Sequence, residues 1–172
     1  MATKKSVWVL FGILVISAWV LGSAIQVGAE TMNGKVFNHV TRREAIPVGD
    51  VEGHSFVITV REGVMNFDNG EMAWIKAVIY SDTVKGLGPF DQYVTLTFED
   101  GSTITHHTKG TVEVTSAGGS AKWTGEMIKG TGRFQGIKGT VTAWGKLLPP
   151  EKDELGGKTR GEAIFNYTLP SK

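Results

Sequence analysis

The chain has 172 residues, a one-domain length, and sets 18 Lys plus Arg against 17 Asp plus Glu. A net charge of +1 excludes a duplex nucleic-acid binder, which needs surplus cations to displace phosphate counterions. Charged residues at 20% and hydrophobic ones at 41% exclude a disordered chain and a polytopic membrane protein.

The N-terminal segment reads as a targeting signal. Lys4 and Lys5 precede an uncharged run from Ser6 to Ala29, whose apolar heart is Val7 to Leu21. Val27-Gly28-Ala29 is a small-residue cleavage signature that leaves Glu30 as the new N-terminus, and Gly22-Ser23-Ala24 is a second option. A basic start, an apolar core and a small-residue exit define a secretory signal peptide. The alternative is an uncleaved anchor through residues 7–29, since such a run is long enough to cross about 30 Å of hydrocarbon as a helix. The expected organisation is therefore a signal peptide or membrane anchor over 1–29 and one domain over 30–172. The expected location is secreted or periplasmic. No cysteine is present, so neither a disulfide nor an acylated lipobox thiol holds the exported domain. Losing Lys4 and Lys5 takes the balance from +1 to −1 and leaves no strong electrostatic preference for a partner.

After Glu30 no stretch of ten residues carries a helical apolar period, and β-branched and aromatic residues recur in short runs between glycine-bearing turns. In chain order the predicted strands are Val36–Arg43, His54–Glu62, Met72–Ser81, Tyr93–Glu99, Thr103–Thr115, Lys122–Lys129, Thr140–Leu147 and Arg160–Leu169. The second is expected to face inward with Phe56, Ile58 and Val60, and the fourth with Val94, Leu96 and Phe98. Asn69-Gly70 and Asp100-Gly101 are the dipeptides that suit type I′ hairpins, and Gly118-Gly119 serves the next connection. Lys85–Pro89 and Pro149–Gly157 read as longer loops.

Such a meander is all-β, and it closes into an eight-stranded antiparallel β-barrel or folds into a sandwich. The barrel is preferred because it leaves no exposed edges. The 23 glycines, about 13% of the chain against roughly 7% ordinarily, also suit it. Gly110, Gly125, Gly145 and Gly161 would relieve crowding where a small barrel coils tightly.

Residues 130–140 read GTGRFQGIKGT. Gly130, Gly132, Gly136 and Gly139 bracket a lone aromatic, Phe134, as in a tight turn that tucks one ring under the barrel. The pattern resembles the G-T-G-x-F-x-x-x-x-G segment of the allene oxide cyclase-like barrels, which include plant dirigent proteins and similar bacterial members. A looser likeness runs from His54 through Leu169, including Asn69-Gly70-Glu71 and Thr97–Ile104. The resemblance implies a calycin-like eight-stranded barrel with an apolar cavity that steers reactive small molecules. It implies cyclase-like isomerase or dirigent-like chemistry where there is activity, and the matched segment brings no catalytic residue.

Other motifs point away from cofactors. A dinucleotide loop would need glycine at Gln135, and Gly157-Lys158-Thr159 lacks the earlier glycine of a Walker A loop because Lys152 stands there. His106 and His107 are adjacent on a strand, so they face opposite ways and do not share a metal. No nucleophile–base spacing is present. Among the aromatics, Trp123 and Tyr167 are expected inside. His106 shares phase with Ile104, Thr108 and Val112, while Glu62 shares phase with Ile58 and Val60. Glu62, His106, Trp123 and Tyr167 are thus the candidate ligand-binding residues, for a small apolar or aromatic molecule. Beyond that ligand the expected partners are a second copy of the chain, as a homo-oligomer, and a membrane only through residues 7–29.

Overall fold

A computed structural model describes residues 28–115 and 118–171. The expected leader therefore lies outside the described residues, apart from positions 28 and 29. The chain forms β1 (Glu30–Pro47), β2 (His54–Phe67), β3 (Met72–Val84), β4 (Gly88–Phe98), β5 (Thr103–Thr115), β6 (Gly118–Gly130), β7 (Lys138–Leu147) and β8 (Thr159–Thr168). Each strand pairs antiparallel with the next, and β1 pairs with β8 to close the cylinder. The sandwich alternative falls, since a closed ladder has no second sheet.

All eight strands sit where the alternation placed them, but several are longer. β1 begins six positions earlier than expected and runs on to Pro47, because Glu30–Asn38 pairs with β8 while Gly34–Pro47 pairs with β2. β4 begins at Gly88, shortening the expected Lys85–Pro89 loop to three residues. Gly118 and Gly119 belong to β6 and pair with Thr115 and Val114; the connection at 116–117 lies outside the described residues.

The two Asx-Gly hairpins differ from the type I′ expectation. Only the glycines, Gly70 and Gly101, take positive φ. In each hairpin the glycine N–H donates to the carbonyl of Phe67 or Phe98, and that phenylalanine N–H bonds the carbonyl of Glu71 or Ser102. This is the three-residue loop with one left-handed glycine. Asn69 and Asp100 are there for a different reason, since their side chains accept the N–H two residues on, at 3.0 and 2.9 Å.

Glycine also permits the tight coil of the wall. A Cβ at Gly125 would lie 2.0 Å from the His107 carbonyl oxygen of the neighbouring strand. Gly110 and Gly161 stand in the same relation to their neighbours, and Gly145 meets the Thr159 methyl more gently. Two bulges adjust the faces. One shifts the β1–β2 register between Val40 and Arg42, and the other lies on β6 opposite Thr105 and His106, where Ile128 and Lys129 both face out.

The bore has two unlike halves. Toward the 68–71 and 99–102 turns it is packed solid by Phe67, Phe98, Phe134, Phe165, Leu96, Ile104 and Val141. Phe67 stacks on Phe98 with centroids 5.5 Å apart, and Phe98 meets Phe134 at 4.8 Å. The glycine segment floors this end as expected: Gly132–Phe134 form one 3₁₀ turn, Phe134 is buried, and Gly136 takes a φ of +76° before the chain enters β7. Arg133 lies over both the Phe98 and Phe134 rings and pairs with Glu71. The opposite half, below the 48–53, 85–87 and 148–158 loops, is hollow.

Candidate functional site

The hollow half follows from inward side chains that are small. Ala77, Ser81 and Thr83 on β3, Ala121 on β6 and Thr159 on β8 all point into the bore. Together they leave a cavity of about 210 Å³, walled also by Val57, Ile79, Phe90 and Trp123. A narrower crevice of about 30 Å³ continues inward past Gln92 and Trp123 to His106 and Phe165, sharing part of its lining with the cavity.

The four residues singled out from the sequence fall in three places. Trp123 lines both the cavity and the crevice, and its ring meets Phe90 at 6.4 Å in a tilted contact. His106 lines the crevice at 2% exposure, with its ring edge-on to Phe165 at 5.8 Å. Its Nδ1 has no hydrogen-bond partner, and burial lowers its pKa to about 4, so it is a neutral imidazole at physiological pH. His107 faces outward as alternation requires, stacking on Tyr93 and bonding Asp91.

Tyr167 is buried but belongs to the packed half, away from the cavity. Its hydroxyl donates to Glu30 at 2.7 Å, and burial together with that carboxylate pushes its pKa up to about 12. Glu62 is a correction. It is exposed on the outer wall, because the faces of β2 are opposite to those expected. Phe56 and Ile58 look out to solvent, while Val57, Thr59 and Arg61 line the bore.

Arg61 is the residue that sequence reasoning missed. Its side chain enters the bore from β2, and Nη1 donates to Thr159 Oγ1 at 2.8 Å, the Gly157 carbonyl at 3.1 Å and Asn38 Oδ1 at 3.2 Å. Burial lowers its pKa. The available signal was its offset of one residue from Val60, but a strand face of Val57, Thr59 and Arg61 looks polar beside one of Phe56, Ile58 and Val60. Deeper in, Gln92 is buried and its amide donates to Thr108 Oγ1 at 2.9 Å, so the polar wall is internally bonded. The site holds a neutral histidine, a guanidinium and an aromatic pair around an empty space.

The barrel has the fold of solved dirigent proteins. It is similar to the pterocarpan synthase dirigent protein GePTS1, with a TM-score of 0.51 at 15% identity over 83% of this chain and 92% of that one. It is likewise similar to the pterocarpan synthase dirigent protein PsPTS1, with a TM-score of 0.52 at 15% identity over 84% of this chain and 97% of that one. No family model matches the sequence. No curated protein matches it either. The likeness is one of architecture: a dirigent-type eight-stranded barrel.

Proposed function

We propose that this protein is an exported barrel that binds a small apolar or aromatic molecule in the hollow half of its bore and steers that molecule's cyclisation or coupling by shape. The observation that carries the reading is the cavity of about 210 Å³, set against a Phe90–Trp123 wall inside an otherwise well-packed cylinder. Protein interiors ordinarily close such voids, so a hollow with an aromatic wall and a few polar groups is the usual form of a ligand site. Steering needs no strong acid or base. Confinement holds one folded conformer and excludes water, and orientation alone is worth several kcal/mol. The dirigent-type fold of the two pterocarpan synthase structures supports this reading.

Native mass spectrometry of the protein recovered from its own cells tests the proposal. A chain that begins at Glu30 and carries an extractable small molecule is the expected result. A guest-free protein whose Trp123 emission, isolated in a Trp74→Phe/Trp144→Phe background, also stays unchanged across a panel of aromatic ligands overturns the binding reading. Full-length chain in the membrane fraction overturns cleavage and favours the anchored form.

A second reading rests on the outer wall. Phe56, Ile58, Val78, Tyr80 and Tyr93 are all exposed, and Ile58 pairs with Tyr80 while Val78 pairs with Tyr93, so they form one apolar surface across β2, β3 and β4. Surfaces of this kind mark association. The barrel would then be a non-catalytic interaction module that self-associates through this wall. Sedimentation equilibrium decides it: an oligomer that Tyr80→Glu dissociates supports the module, and a monomer at all concentrations removes it.

A further inference from the structure

The charge inside the hollow half is one-sided. Arg61 lines the cavity and Arg43 stands at its mouth, whereas neither Asp nor Glu lines the cavity or the crevice. Among the described residues no carboxylate lies within ion-pairing distance of either arginine, although Arg42 next door pairs with Glu44. Arg61 is partly withdrawn from water with no counter-ion, and a bound anion would offset that desolvation.

The bonding pattern of Arg61 sharpens this. Its three hydrogen bonds all leave from Nη1, toward Asn38 on β1, Thr159 on β8 and the Gly157 carbonyl in the loop before it. Nε and Nη2, which form the side edge of the fork, have no acceptor among the described residues. That edge presents two parallel N–H donors, the arrangement that matches the two oxygens of a carboxylate. Across the bore stands the aromatic wall: β2 and β6 lie four strands apart in a ring of eight, so Trp123 faces Arg61 from the opposite side. An apolar hollow of about 150 Å³ holds benzene. The 210 Å³ here has space for one ring with a short substituent.

We propose, resting on the lumen-binding reading above, that the guest is a monocyclic aromatic carboxylate. Its carboxylate sits on the Nε–Nη2 edge of Arg61 and its ring lies against Phe90 and Trp123. The unpartnered Nδ1 of buried His106 awaits a polar substituent at the far end of that ring.

The test is isothermal titration of the purified full chain with benzoate, benzamide and inorganic phosphate at one ionic strength. Benzoate is expected to bind about 10- to 100-fold more tightly than benzamide, the range of a charge-assisted bidentate contact, with phosphate silent. Arg61→Met should bring benzoate down to the benzamide level while benzamide is unchanged. Arg61→Lys, which keeps the charge and loses the fork, should fall between. The ratio measured in the unmutated protein does not depend on how either variant folds. Equal affinity for benzoate and benzamide overturns anion selection and leaves lumen binding standing. Phosphate binding without benzoate binding overturns the aromatic part. Silence from both ring probes overturns this proposal, and the native mass spectrometry and ligand panel above then decide the lumen-binding reading by itself.

Discussion

The two halves of the bore are built from the same strands, with the same alternation, and differ in what the inward positions carry. On β3, Ala73 and Ile75 lead into the packed half while Ala77, Ser81 and Thr83 line the hollow one. On β4, Phe98 and Leu96 pack solidly, and Gln92 and Phe90 border the cavity. Each of these strands thus has a packed end and a hollow end, with the boundary near His106. The lesson is that stability and vacancy need not compete in a barrel of this size. Eight strands leave an interior just wide enough for side chains to fill, so filling one half with phenylalanines frees the other from that duty.

The largest expected effect comes from emptying the packed half. Phe165 is fully buried and touches both Phe67 and His106. Phe165→Ala should cost about 3–5 kcal/mol in a urea-unfolding experiment. Ile79→Ala, at the cavity wall, should cost well under half as much, since that side chain is only partly buried. Equal losses would erase the distinction between the halves.

The boundary residue supplies the next effect. His106 is held neutral by burial, with its pKa near 4 in the folded state against about 6.5 unfolded. The unfolded chain therefore takes up the proton first as pH falls. The stabilisation is complete above pH 6.5 and drains away between about 6.5 and 4, by on the order of 3 kcal/mol. Urea midpoints collected over that interval should show a slope that His106→Gln removes. The same slope in both proteins would mean that other groups cause it.

How far the sequence was legible divides along the same line. The packed half was readable: Val94, Leu96 and Phe98 alternate inward as large apolar residues must, and the bracketed Phe134 announced the floor. The hollow half inverts the signal. On β2 the larger apolar side chains, Phe56 and Ile58, form the outer wall, and the bore receives Thr59 and Arg61. Periodicity of two shows that a strand has faces, and assigning them relies on the apolar face being the buried one. A cavity that keeps a cation breaks that assumption, so the apolar phase of β2 points to Glu62 and away from Arg61. Trp123 and His106 were found because β5 and β6 keep large or aromatic residues in phase with the core. The bulge at Ile128 was invisible, since no local residue type demands it.

A smaller effect is expected from filling the hollow half. Ala121 is buried at the cavity wall, where added volume meets empty space. Ala121→Leu should change stability by less than about 1 kcal/mol, and in the stabilising direction, as cavity-filling substitutions do. It should nonetheless abolish benzoate binding. A strongly destabilised variant would show that the hollow is narrower than 210 Å³ implies.

The smallest effect tests whether the floor of the packed half works by packing or by charge. Arg133 is partly exposed, lies 4.9 and 4.8 Å from the Phe98 and Phe134 ring centroids, and pairs with Glu71 at 2.6 Å and Asp100 at 3.6 Å. An exposed ion pair contributes at most about 1 kcal/mol, and a guanidinium over a ring about 0.5–1 at such a site. Arg133→Met keeps the stem over the rings and removes the charge, so it should cost about 1 kcal/mol, part of which 1 M salt should already have taken from the unmutated protein. A loss of several kcal/mol would mean that the charge network, and not the phenylalanine cluster above it, seals this end. Benzoate affinity should stay unchanged in the variant, because the floor and the cavity are separated by the full depth of that cluster.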